Sequence, residues 1–340
     1  VSMASQTSRL ALLAVVCSAL YVALGVPIPF EEDPNADIRI FVNVTSINAN
    51  EWVRVSWEGV PEDHRPGCWV GLFLNSTTDV SPFVVTNHST YSPPFTMTAP
   101  LKYIKCSDHN PDFHTTGKGF KDFFVVNYRH AVTWMIFTNG VDKPVFHRRS
   151  EGVTIDDFRA PSQGHLARTQ KHTEMLVQWQ SAQHHDYPEV QWSLTPDFAN
   201  FSSANATSTT FTRGDLCGAP ANVQGYMDPG YFHAALITGL VPGVTKAYYR
   251  FGSVAHGFSP VYSFLAPAAP NPSHRTHIVI TADLGVTMPD GTQYHWEEPD
   301  AFQTVKHMLD RVSTSDASML LHIGDIAYST GYLGKWDSFM

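Results

Sequence analysis

The chain has 340 residues, 43% of them hydrophobic and only 16% charged, and a formal charge of -9 from 22 basic and 31 acidic side chains. That length and apolar share allow two or three domains with their own cores, and the acidic balance leaves no basic face broad enough to neutralise a nucleic-acid backbone, which excludes nucleic-acid binding. With 23 Pro and 22 Gly, and with Thr, Val, Phe and Tyr abundant, short strands and turns are favoured over long helices, so a mostly β, multidomain protein is expected.

At the N-terminus, Arg9 precedes an apolar run from Leu10 to Val26 that Pro27 and Pro29 close. This reads as a signal peptide over residues 1–26, with Ala23-Leu24-Gly25 as small residues for cleavage. The run is shorter than the roughly 20 residues a bilayer span needs, so no stable membrane anchor is expected. Five Asn-x-Ser/Thr sequons, at Asn43, Asn75, Asn87, Asn200 and Asn205, agree with a secreted glycoprotein, extracellular or delivered to a vacuole or lysosome. Beyond the signal, Cys68, Cys106 and Cys217 form an odd set, compatible with a Cys68–Cys106 bridge that leaves Cys217 over.

Residues 38–153 alternate in stretches such as "WVRVSW", "CWVGLFL" and "VTWMIFTNG", separated by Pro and Gly clusters, and predict an antiparallel β-sandwich with no cluster of acids, nucleophiles or ligands. A second sandwich is predicted over 154–267. There "ITGLVPGVTKAYYRFG" has the layout of a fibronectin type III ending, a Leu-x-Pro-Gly turn leading into a strand with Tyr and Arg. The stretch "APAAPNPS", Ala266 to Ser273, reads as a linker.

From residue 274 the pattern changes. "HIVITADLG" and "SMLLHIGD" are short apolar runs ending at Asp283 and Asp325, as expected of buried parallel strands. Between them, Pro299 at a first helical position, Asp300 as a first-turn acid, and Phe302, Val305, Met308, Leu309 and Val312 at helical spacing predict a helix, and hence a right-handed β-α-β crossover.

Parallel neighbours lie roughly 4.8 Å apart, so carboxylates just past the two strand ends can aim at one point in the crevice where α/β proteins bind ligands. Two carboxylates there repel unless a cation or proton is shared. Gly285 and Gly324 would let the backbone turn tightly, and Tyr328, three residues past Asp325, can return its phenol to the same centre, completing a hard oxygen set. The bare residues also fit a plainer reading, with both aspartates capping loops and Tyr328 in the core. The 17 His are scattered. His322, inside a strand, is expected to pack there, and His295, in a loop, could reach a substrate mouth.

"DLG" at Asp283–Gly285 and "GDIAY" at Gly324–Tyr328 resemble the first two of five metallophosphoesterase blocks in the purple acid phosphatases, and "GYLGKWDSF", with Trp336 and Asp337, is also similar to that family. Upstream, "TSTTFTRGDLCGAPANVQGYMDPGYFHAALITGLVPG", Thr207 to Gly243, resembles the fibronectin-like domain of large plant-type members. "WVRVSWEGV" and "TAPLKYIKCSDHNPDFHTTGKG" look like the extra N-terminal sandwich of the nucleotide pyrophosphatase/phosphodiesterase-like subgroup.

The resemblance implies two N-terminal β-sandwich domains, the second fibronectin type III-like, followed over 274–340 by the first β-α-β part of a calcineurin-like α/β metallophosphoesterase domain. It implies Asp283 as a ligand to Fe(III), Asp325 as a bridge to a divalent Fe, Zn or Mn, and Tyr328 as the phenolate ligand. The Gly-Asn-His, lone His and Gly-His-x-His blocks would fall beyond residue 340. These residues alone are therefore expected to be an inactive fragment with no catalytic residue of its own and with apolar strand faces uncovered. The implied activity is acid phosphatase action on phosphate monoesters. Alternatives are nucleotide pyrophosphatase/phosphodiesterase action and a non-catalytic extracellular β-sandwich binding protein. Phosphate-ester small molecules are the implied partners, and a homodimer is left open.

Overall fold

Inward apolar and outward polar side chains alternate along Glu51–Glu58, where Val53, Val55 and Trp57 are buried while Arg54 turns out to pair with Asp122 at 2.7 Å. In the computed structural model, which describes residues 37–75, 99–141, 144–182, 187–273, 275–293, 298–314 and 317–340, this strand centres a three-stranded antiparallel sheet between Arg39–Val42 and Gly119–Val125. The expected signal peptide, Asn87 and His295 lie outside the described residues.

The facing sheet runs Lys102–Lys105, Trp69–Leu74, Val132–Thr138, Val145–Arg149. Val132–Thr138 is buried at every position and does not alternate. One of its sides, with Trp134 and Ile136, faces the inter-sheet core, and the other, with Met135 and Phe137, joins a second cluster with Trp69, Phe73 and Phe146. Cys68 and Cys106 are disulfide-bonded and Cys217 is free and exposed.

In the second sandwich one sheet orders Ser162–Arg168, Met175–Ser181, Tyr231–Ile237 and Thr207–Thr209. The other pairs Ser202–Asn205 with Glu189–Ser193 and the latter with Lys246–Ser253, which also carries Gly257–Phe258 and Tyr262–Leu265. Trp179, Val190, Tyr249 and Phe251 fill the space between the sheets. The Leu240–Gly243 turn closes with Gly243 at φ +69 and its N–H donating to the Ala266 carbonyl at 3.1 Å, a backbone state that glycine adopts without a side-chain penalty.

The third unit pairs His277–Thr281 with Ala317–His322 in parallel, through the helix Ala301–Thr314. The helix begins later than the sequence suggests: Thr304 donates to the Asp300 carbonyl at 2.9 Å, so Asp300 caps the helix and Pro299 precedes it. The strands are not buried on both faces. Ile280 is 59% exposed, and Ile278, Leu320 and Leu321 are exposed too, as are Phe302, Leu309 and Val312 on the helix. Their sequence suits a covered sheet, but among the described residues no further strand or helix packs over these faces.

Several attachments fasten this unit to the sandwiches. Gln293 joins the edge strand Lys102–Lys105 through two hydrogen bonds with Tyr103, at 2.9 and 2.7 Å. Lys102 and Asp290 form an ion pair with both side chains fully buried. The short helix Gly334–Phe339 brings Asp337 to Arg129 of the first sandwich, Nη2 to Oδ2 at 3.0 Å, and to Gln163 of the second, whose amide donates at 2.8 Å.

Candidate metal centre

Past the strand ends the two chains stay in register. Ile323 donates to Thr281 at 2.9 Å, Asp283 to Gly324 at 3.2 Å, Leu284 to Asp325 at 3.3 Å and Gly285 to Ile326 at 2.8 Å. This irregular ladder sets the two aspartate loops side by side. Asp283, Asp325 and Tyr328 all have left-handed backbones, at φ +52, +41 and +45. Such a state costs a non-glycine residue on the order of 1–3 kcal/mol and persists only where the surroundings enforce it.

The side chains converge. The Tyr328 hydroxyl donates to Asp283 Oδ1 at 2.6 Å and lies 3.1 Å from Asp325 Oδ2. These hydrogen bonds, led by that to Asp283, and the two negative charges push the Tyr328 phenol up well above its ordinary range. A highly charged cation among the three oxygens would draw it down again. The set consists of two carboxylates and one phenol, all hard oxygen donors, and it fits a trivalent or hard divalent ion. Among the described residues no group of three or more His, Cys, Asp and Glu gathers at one point.

The two glycines differ. Gly285 is left-handed at φ +68, and a Cβ there would lie 2.2 Å from Glu298 Cγ and 2.6 Å from its Cβ. Gly324 has no such need: its φ is not positive and an added Cβ would meet nothing within 4 Å. The tight turn expected of both is a requirement of Gly285 alone.

His322 is half-buried in its strand, with its ring edge-on to Phe339 at 6.2 Å and its Nε2 without a hydrogen-bond partner among the described residues. Of the sequons, Asn43, Asn200 and Asn205 are exposed and Asn75 is half-buried. Lys335 is a contributor the sequence did not announce. It is 2% exposed, and its Nζ donates to the Tyr328 carbonyl at 2.7 Å. A lysine near a helix start carries no local signal of burial.

Two β-sandwiches bearing a parallel β-α-β unit, with two aspartates and a tyrosine converging past its strand ends, define the class: a mostly β, multidomain protein whose third unit is α/β. Comparison narrows this to a family. Residues 38–157 match the Fn3-like domain from purple acid phosphatase, and residues 161–266 match the purple acid phosphatase N-terminal domain. The Fn3-like description thus attaches to the first sandwich, although the fibronectin-like ending read in the sequence lies in the second. The structure of purple acid phosphatase PPD1 from yellow lupin (Lupinus luteus) seeds is similar at TM-score 0.80 and 26% identity, over 90% of this chain and 54% of that one.

Two Arabidopsis thaliana proteins are also similar. "Probable inactive purple acid phosphatase 24" is 31% identical over 80% of this chain and 44% of its own length. "Probable inactive purple acid phosphatase 27" is 32% identical over 85% and 47%. The chain belongs to the purple acid phosphatase family and spans about half the length of these curated relatives.

Proposed function

We propose that this chain is part of a secreted, metal-dependent phosphoesterase acting on phosphate monoesters, in which Asp283, Asp325 and Tyr328 would hold Fe(III) and Asp325 would also serve a divalent Fe, Zn or Mn. The observation that carries the reading is the placement of the Tyr328 hydroxyl against both carboxylates, at 2.6 and 3.1 Å. Such a metal pair supplies Lewis-acid activation of a phosphate ester and of the attacking water.

The chain's own residues prepare for it. Asp283 and Asp325 concentrate negative charge at one point, and Tyr328 has a phenolic proton to release on binding. Gly285 brings the backbone against Glu298 so that the Asp283 loop can turn. No residue here is assigned as general acid; His322 packs against Phe339. The N-terminal apolar run and the exposed Asn43, Asn200 and Asn205 support passage through the secretory pathway with glycosylation, and no described helix is long and apolar enough to cross a membrane.

The names of the two plant relatives favour a second reading, a family member that keeps the fold and turns nothing over. Nucleotide diester hydrolysis on the same centre is a third. The test uses the complete gene product, loaded with iron and assayed on p-nitrophenyl phosphate and on bis-p-nitrophenyl phosphate. Monoester turnover with a visible absorption that disappears in Tyr328→Phe is the expected result. Turnover confined to the diester supports the third reading, and the absorption without turnover supports the second. An unchanged spectrum in Tyr328→Phe would contradict the ligand assignment.

A further inference from the structure

The Tyr328 backbone is left-handed, a state a tyrosine does not hold by local preference. Something outside the loop must hold it, and Lys335 does so geometrically. Its ammonium, on a residue 2% exposed, donates to the Tyr328 carbonyl at 2.7 Å. Burying an ammonium is costly, and the bond it gives a loop carbonyl is charge-assisted and firmer than one to water.

The stem of Lys335 is rooted in a helix fixed from several directions. Next to it, Leu333 donates to the Gly225 carbonyl at 2.8 Å. Further along, Asp337 is tied to Arg129 and Gln163, and the Ser338 hydroxyl lies 3.3 Å from the Tyr128 hydroxyl. From this anchored point the side chain reaches back seven residues to the one loop position whose phenol must fall between Asp283 and Asp325.

We infer that Lys335 is a positioning residue for Tyr328, holding its carbonyl so that the phenol is aimed at the ion shared with Asp283 and Asp325. The inference rests on the metal-binding reading above, and the test separates the two. Fe(III) affinity of the complete gene product is measured by competition with a chelator, alongside the visible absorption, for the unsubstituted protein, Lys335→Met, Tyr328→Phe and the double variant.

Lys335→Met is expected to weaken Fe(III) binding about tenfold and to displace the absorption band, as loss of a group that orients a ligand does. On the Tyr328→Phe background the same substitution is expected to change affinity less than about twofold, because the group it positions is gone. Equal losses on both backgrounds overturn the inference, since a merely structural role is indifferent to the phenol. If Lys335→Met fails to fold by circular dichroism, Lys335→Gln enters the same cycle under the same criterion. If the unsubstituted protein shows no iron-dependent absorption, the metal reading itself fails and the inference falls with it.

Discussion

Replacing Lys102 by Met tests how firmly the β-α-β unit is held to the first sandwich. Both side chains of the Lys102–Asp290 pair are 0% exposed, so the substitution leaves a carboxylate in the interior without its cation. Breaking a buried pair in this way costs about 3–5 kcal/mol. Asp290 would keep the Phe124 N–H at 2.8 Å, the Thr292 N–H at 3.0 Å and the Thr292 hydroxyl at 2.6 Å, and Met fills nearly the volume of the lysine stem. The lower end, about 3 kcal/mol, is therefore expected.

The pH dependence gives a second check on the same pair. Burial pushes the Asp290 carboxyl up, but Lys102, the Thr292 hydroxyl and the Phe124 N–H outweigh it and hold the group below its ordinary range. A depressed carboxyl contributes stability above its unfolded value, about 3.9, and loses it as pH falls through the native one. Without Lys102 the two strongest influences that lower the carboxyl are gone while burial stays, so the variant gains less stability than the parent as pH rises. Urea denaturation followed by tryptophan fluorescence should show a deficit that is largest near neutrality and shrinks towards about pH 4. A deficit below about 1 kcal/mol at neutral pH, or one that grows on acidification, would refute the reasoning.

Two further substitutions bear on the loops and the bridge. Gly285→Ala should lower the unfolding midpoint and weaken Fe(III) binding, because its Cβ would strike Glu298 from a backbone at φ +68, whereas Gly324→Ala should be near neutral. Equal effects would show that the two turns are alike. Replacing Cys68 and Cys106 together by Ser opens a loop with sequence separation 38 and should cost about 4 kcal/mol, or less if the reduced chain retains structure. Denaturation of the variant against the oxidised and reduced parent measures it.

The sandwiches were legible because their strands alternate, as Glu51–Glu58 does with Val53, Val55 and Trp57 inward. The arrangement of the candidate site was legible in part, because Asp283 and Asp325 each follow a short apolar run that forms a strand, and parallel pairing sets their loops side by side. What was not legible is what fixes the units to one another. Lys102 and Asp290 are 188 residues apart and Arg129 and Asp337 are 208 apart. Nothing local to either partner marks a charge that is to be buried. The parallel pair leaves apolar faces exposed, as expected of apolar runs that suit a covered sheet but have no further strand among the described residues to cover them.

The junction at Asp337 draws one hydrogen-bonding group from each unit: a guanidinium from the first sandwich, an amide from the second and a carboxylate from the short helix that follows the Tyr328 loop. Units joined in this way cannot be traded between relatives one at a time. A chimera that borrowed only a new first sandwich would leave Asp337, nine positions beyond Tyr328 in the chain, buried without its guanidinium partner. Recombination within the family is therefore expected to keep Arg129, Gln163 and Asp337 together or to replace all three residues at once.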